Sequence, residues 1–316
     1  MNRRWTETDI TDQSARTVLI TGANSGLGLR SAEVLAGRGA RVLLACRSPE
    51  RGQAALGRVA AVATGEQPEL VRLDLADLAS VREAASAVRE LTGDALDVLV
   101  NNAGVMATAR GRTADGFELQ FGINHLGHAA LTWLLMPALR GTSAARVVTV
   151  SSVVAYGAQI RLDDPNTEHH RYNAGAAYGQ SKLANQVFGV ELDRRLRAAG
   201  SSVLSVLAHP GYTSTGLVGN MAGSYRNPLA RRAIATIGRL GNPVFGQRVE
   251  QGALPLLCAA TDADVESGDY LGPDRFFGIR GLPTKVRTLA AARDPHTGSA
   301  LWELTARLTD VTPDPS

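Results

Sequence analysis

Thr21-Gly22-Ala23-Asn24-Ser25-Gly26-Leu27-Gly28 follows the apolar run Val18-Leu19-Ile20 and leads into a helix-like segment, so three glycines fall where a strand must turn into a helix. Gly22 suits the backbone angles of a tight turn, Gly26 lets the main chain come close to a phosphate, and Gly28 leaves room for helix to pack on strand. The free N–H groups at such a helix start face an anion. The stretch predicts a pyrophosphate cradle, with Asn24, Ser25 and Leu27 in its wall. A purely structural corner also wants glycine, and the rest of the chain decides between the two.

Outward from this corner, β-like runs at 17–21, 41–46, 69–73, 96–100, 146–151 and 202–208 alternate with helical patterns at 25–38, 49–64, 77–91, 115–140, 176–199 and 248–261. The runs are nearly continuous in apolar residues, as in Val98-Leu99-Val100, which is what strands covered on both faces require. Alternation of this kind predicts an α/β doubly wound parallel sheet of about seven strands. One domain is expected over 16–316, behind a polar tail over 1–15 in which Trp5 reads as a surface tether.

Two segments break the beat, 153–175 after the fifth strand and 211–247 after the sixth. Insertions at strand C-termini lie over a ligand crevice. Within the second, 227–240 carries Leu229, Ala233, Ile237 and Leu240 on one side. It is either a substrate lid or a surface helix packed on the core.

Composition narrows the function classes. The 316 residues, 44% of them hydrophobic, can bury a large core. Lys and Arg total 33 against 30 for Asp and Glu, without a basic run of the kind that tracks nucleic acid. Cys46 and Cys258 fit neither a disulfide nor a metal pattern, and a cytoplasmic, reducing location is expected. There is no signal-peptide core and no integral membrane segment in this reading. His125 with His128, and His169 with His170, lack further ligands at metal spacing, so no metal is expected.

Three motifs carry chemistry. After the second strand the chain reads Leu44-Ala45-Cys46-Arg47, with a guanidinium where a ribose-binding carboxylate could stand, so Arg47 favours a 2′-phosphate and NADP(H) over NAD(H), which stays admissible. Asp74 and Leu75 follow the third strand, where a carboxylate could accept from an adenine amino group or cap the next helix. Asn101-Asn102-Ala103-Gly104 closes the fourth strand as a buried turn beneath the adenosine. Ser152 follows the fifth strand, and Tyr178 and Lys182 stand four apart on one helical face. A nearby ammonium stabilises phenolate and lowers a tyrosine pKa from about 10 toward the range of a usable acid-base.

Thr21 to Gly28 as TGxxxGxG, Asn101 to Gly104 as NNAG, Asn124 in Gly122-Ile123-Asn124-His125, Ser152, and Tyr178xxxLys182 together resemble the classical short-chain dehydrogenase/reductase family. Cys46-Arg47, the long separation of Ser152 from Tyr178, His209-Pro210-Gly211 and Tyr270-Leu271-Gly272-Pro273 resemble its retinol-dehydrogenase-like and WW-domain-oxidoreductase-like branch, without a WW module. The resemblance implies a Rossmann-type fold. It implies that Tyr178 exchanges the proton, that Lys182 holds the nicotinamide ribose and tunes Tyr178, and that Ser152 rather than Ser151 bonds the reacting oxygen. Asn124 would seat a water linking Lys182 to solvent. Pro210 and Gly211 would lie beside the nicotinamide carboxamide, with Thr213 and Thr215 near that end or the pyrophosphate. In the related family the helices at 115–140 and 176–199 often form a subunit interface, which makes a homodimer or homotetramer possible, although the retinol-dehydrogenase-like branch is less regular in that respect.

The expected activity is that of an NADP-preferring oxidoreductase interconverting a hydrophobic alcohol with its aldehyde or ketone, a small-molecule substrate. Two alternatives are a nucleotide-sensing protein without turnover, which the intact Ser152, Tyr178 and Lys182 disfavour, and a sugar-nucleotide epimerase of the extended relatives, which the glycine spacing disfavours.

Overall fold

The structure, a computed structural model, describes residues 4–213 and 247–315. Its eight strands form one sheet in the order β3-β2-β1-β4-β5-β6-β7-β8: β1 (Thr17–Thr21), β2 (Arg41–Cys46), β3 (Glu69–Arg72), β4 (Val98–Asn101), β5 (Arg146–Val150), β6 (Leu204–Ala208), β7 (Tyr270–Arg275) and β8 (Arg280–Lys285). The first seven pair in parallel and β8 pairs antiparallel with β7. The order reverses at β1, which lies between β2 and β4, so a crevice opens above the strand C-termini there.

Among the described residues the α-helices are α1 (Gly26–Ala36), α2 (Pro49–Ala60), α3 (Leu78–Thr92), α4 (Leu119–Phe121), α5 (Gly127–Arg140), α6 (Ala174–Ala198), α7 (Val249–Thr261) and α8 (Pro295–Thr309). Side chains alternate across β1: Val18 and Ile20 pack with α1, α2 and α7, whereas Leu19 packs with α3, α5 and α6. Both faces are therefore covered, which is why the strands read as unbroken apolar runs. Local chemistry sets the helix ends. Ser48 accepts the Arg51 N–H at 3.3 Å with Pro49 in the first turn, and Asp77 accepts from Ala79 at 2.9 Å before Gly93 ends α3 at φ 58°.

Four features differ from the sequence reading. The helix expected over 115–140 is divided into α4, a π-helical turn (Gly122–Leu126) and α5. The β7–β8 hairpin was not foreseen, because Pro273 and Pro283 interrupt any β-like run; they sit opposite each other beyond the end of β6, where the ladder needs no donor from them. Trp5 is not a surface tether. It is 1% exposed in the core against α1, in a segment fixed by an Arg30–Glu7 ion pair at 2.6 Å and by Gln13 N–H on the Arg38 carbonyl at 2.8 Å. Finally, α8 lies over α5 and α6: Trp302 stacks on Phe188 at 5.4 Å and meets the edge of Trp133 at 4.8 Å, with the Arg195 guanidinium 4.8 Å from the Trp302 ring. Trp133 and Met136 of α5 are thus buried within the chain.

Most of the expected lid segment, including 227–240, lies outside the described residues. Among the described residues no helix is long and apolar enough to cross a membrane.

Candidate active site

The glycine corner joins β1 to α1 with Gly22 at φ 67° and Gly26 at φ 56°. A Cβ on Gly28 would come within 2.6 Å of both the Asn102 amide nitrogen and the Gly22 carbonyl, so helix and strand are as close as glycine allows. Ser25 stands at the N-cap of α1 without a capping bond, leaving the first N–H groups of the helix free of a side-chain acceptor. Those groups and the bare glycine backbone fit an anion such as a dinucleotide pyrophosphate. Gly22, Asn24, Ser25, Gly26, Leu27 and Gly28 all line the crevice.

Beside them, Arg47 lines the crevice at the exit of β2, followed by Ser48 and Arg51. Arg51 was missed by the sequence reading, although a second arginine one turn beyond Arg47 is a legible signal. Asp74 and Leu75 also line it. The Asp74 carboxylate accepts the Ala76 N–H at 3.0 Å, while Asp77 caps α3 in its stead.

At the β4 exit the crevice is lined by Asn102, Ala103 and Gly104 but not by Asn101. Asn101 is buried at 1% exposure and turns toward α5, where its amide donates to Thr132 at 2.9 Å. The structure therefore does not bring Asn101 to the cofactor side, because alternate strand residues face opposite layers. Asn102 instead donates to the Thr21 carbonyl at 2.7 Å, holding the two strand ends together.

Ser152, Tyr178 and Lys182 meet at the opposite end of the same crevice. Ser152 follows β5 and its hydroxyl accepts the Val154 N–H at 3.2 Å. Its neighbour Ser151 points away and donates to the Lys182 carbonyl at 2.8 Å, so the two serines serve different purposes. Lys182 Nζ lies 6.0 Å from the Tyr178 ring centre and donates to the Val150 carbonyl at 3.0 Å. Burial pushes the Tyr178 phenol above its ordinary value, opposed by a hydrogen bond with Ser152. Burial likewise pushes Lys182 down to about 8. The expectation that the ammonium would draw the phenol down is corrected here: desolvation of each charged form is the leading influence on both groups.

Asn124, in the π-helical turn, does not point its amide at Lys182. Its side chain accepts the Val105 N–H at 2.8 Å and donates to the Val105 carbonyl and to Ser181, both at 2.9 Å. It clamps the segment after β4 to α6, the helix bearing Tyr178 and Lys182. A Cβ on Gly104 would lie 3.1 Å from Asn124 Oδ1 and 3.6 Å from Lys182 Nζ, so glycine keeps that approach open.

Pro210, Gly211 and Thr213 line the crevice beyond β6, and Thr213 donates to the Pro210 carbonyl at 2.9 Å. Thr215 lies outside the described residues. The lining also includes Met106, Val153, Val154 and Tyr212, which the sequence reading did not single out; apolar side chains in loops have no pattern that marks them. Among the described residues no cluster of three or more His, Cys, Asp or Glu side chains could hold a metal ion.

A glycine cradle at one end of a crevice and a serine, tyrosine and lysine at the other are the furnishings of a nucleotide-dependent dehydrogenase fold. Residues 16–225 match the short chain dehydrogenase family, and the chain belongs to it. It is 38% identical to human (Homo sapiens) retinol dehydrogenase 13 over 299 residues, covering 93% of this chain and 84% of that protein. It is also 38% identical over 304 residues to the polyprenol dehydrogenase of Mus musculus, covering 94% and 84%. Among solved structures, an uncharacterized protein from Mycobacterium Paratuberculosis superposes with a TM-score of 0.79 at 40% identity, covering 98% of each chain.

Proposed function

We propose that this chain is an NADP-preferring oxidoreductase that interconverts an apolar alcohol with its aldehyde or ketone. The observation that carries the reading is the convergence of Ser152, Tyr178 and Lys182 on the crevice that Gly22, Gly26 and Arg47 also line. The oxidoreductase class follows from the family, and membership of the retinol-dehydrogenase-like branch favours CH–OH chemistry. Arg47 and Arg51, side by side on the adenosine side of the crevice, favour a phosphorylated ribose.

A nicotinamide cofactor, when bound, supplies the hydride. In the reducing direction negative charge develops on the substrate oxygen, where Ser152 donates a hydrogen bond and Tyr178 gives up its phenolic proton. Burial favours the neutral phenol, the form this direction needs. Lys182 stabilises the phenolate left behind by its charge, and the phenolate regains its proton from solvent entering the crevice. Oxidation runs the same transfers backward, with Tyr178 as base.

Val153 and Val154 directly after Ser152, with Met106 and Tyr212, give the reacting end an apolar lining that suits a hydrophobic substrate. The names of the retinol and polyprenol dehydrogenases point the same way. Two free, buried cysteines suit the cytoplasm. Titration with NADPH and NADH by fluorescence, followed by a panel of aldehydes, ketones and alcohols read through cofactor absorbance, tests the proposal. Tighter NADPH binding and turnover of long-chain aldehydes are expected; turnover of a nucleotide sugar alone, or none at all with every substrate, would overturn it.

A further inference from the structure

His128, in the first turn of α5, is 2% exposed and stands where three parts of the site meet. Its Nδ1 lies 3.0 Å from the Asn124 carbonyl oxygen and its Nε2 lies 2.9 Å from Thr21 Oγ1. A carbonyl only accepts, so Nδ1 carries the proton and Nε2 takes the Thr21 hydroxyl as its donor. With that proton directed away, Thr21 Oγ1 has lone pairs for the N–H groups of Asn102 and Ala103, both at 2.9 Å. One unbroken line of hydrogen bonds thus runs from the β4 exit, through the first residue of the glycine corner, to the turn carrying Asn124. Asn124 continues it to Val105 and to Ser181 on the catalytic helix.

We propose that His128 is a positioning residue whose Nδ1–H tautomer ties the cofactor cradle to the Asn124 turn, holding the dinucleotide end and the proton-transfer end of the site in one register. This rests on the oxidoreductase reading above. A filler of the same volume would need only shape, whereas the tie needs a donor at one ring nitrogen and an acceptor at the other. The reversed tautomer, or a second proton, would press an N–H on a Thr21 oxygen that already accepts two, and leave the Thr21 proton only the Val100 carbonyl at 3.3 Å. The titratable groups facing the imidazole, Lys182 and His125, both repel a second proton.

Two replacements divide the tie. His128→Asn sets its amide nitrogen near the place of Nδ1 and keeps the Asn124 bond while stranding Thr21. His128→Gln sets its amide oxygen near the place of Nε2 and keeps Thr21 while stranding the Asn124 carbonyl. Losing either buried hydrogen bond breaks the tie, so His128→Asn and His128→Gln are each expected to weaken NADPH binding and to lower kcat, by about tenfold, although each strands a group at one end only. A loss confined to Kd in one variant and to kcat in the other, which two separate local contacts would give, or no effect of either, would overturn the proposal. Nitrogen-15 spectra of histidine-labelled wild-type protein give a readout independent of whether the variants fold: Nδ1 stays protonated and Nε2 bare from about pH 5 to about pH 9, and the opposite tautomer refutes the tie. A wild-type chain that binds no dinucleotide and turns over no carbonyl would sink the oxidoreductase reading instead.

Discussion

Lys182 Nζ and the Val150 carbonyl oxygen are 3.0 Å apart, which places a buried ammonium at the end of β5 with a neutral acceptor as its partner. Burial holds that amine down to about 8, so its charge is carried at neutral pH against a desolvation penalty.

Lys182→Met should therefore abolish turnover and yet raise stability at pH 7, on the order of 1–3 kcal/mol. The sign follows from proton binding. Between a folded pKa of about 8 and an unfolded value of 10.5, the unfolded chain holds more protons, so wild-type stability recovers as pH rises through that window. Urea melts at pH 7 and pH 10 should show the gap between variant and wild type closing; a variant less stable at pH 7 would refute the account.

Tyr178→Phe keeps the ring that fills the crevice wall and removes the proton. Turnover should fall by about 10²–10⁴ while NADPH affinity stays within about twofold. Stopped-flow hydride transfer and fluorescence titration give the two numbers, and retention of turnover would remove Tyr178 from the mechanism.

Arg47→Ala and Arg51→Ala should each weaken NADPH by about tenfold or more and leave NADH within about twofold, since each removes a charge-assisted contact to the 2′-phosphate alone. Equal losses for both cofactors would mean that the guanidiniums serve the fold or the pyrophosphate.

Acid should unfold the protein earlier than its carboxylates alone predict. Burial depresses His125 to about 3, and His128 and His209 to about 4. The unfolded imidazoles take up protons near pH 6.5 and the folded ones do not, so stability present above that pH is lost as pH falls toward 4, by on the order of several kcal/mol in sum. Urea midpoints at pH 7 and pH 5 measure the loss, and His209→Asn should flatten it.

Trp302→Ala should cost about 3–5 kcal/mol, because it empties a stack shared with Phe188 and Trp133 and uncovers the Trp133 face. A lowered Tm is expected; an unchanged Tm would refute the role of α8.

Much of this was legible in the sequence, for identifiable reasons. Buried parallel strands announce themselves as apolar runs, and Gly22, Gly26 and Gly28 are required by backbone geometry that no other residue supplies. Tyr178 and Lys182 were found because helical spacing is rigid. Asn101 was assigned to the wrong side because a strand's last residue takes its facing from register, which sequence does not state. The Tyr178 pKa was misjudged because spacing gives a neighbour but not the absence of water. The hairpin of β7 and β8 went unseen because Pro273 and Pro283 interrupt its β-like runs, whereas α8 was overlooked despite a legible signal: Asp294-Pro295 starts it, and Gly298, Leu301, Trp302, Thr305 and Thr309 fall on one buried face.

The aromatic stack of Trp133, Phe188 and Trp302 draws on three widely separated stretches of chain. During synthesis the first two emerge long before the third, so the outer side of α5 and α6 stays greasy until residue 302 has left the ribosome. In the growing chain that interval closes when α8 docks and Trp302 covers the rings of Trp133 and Phe188.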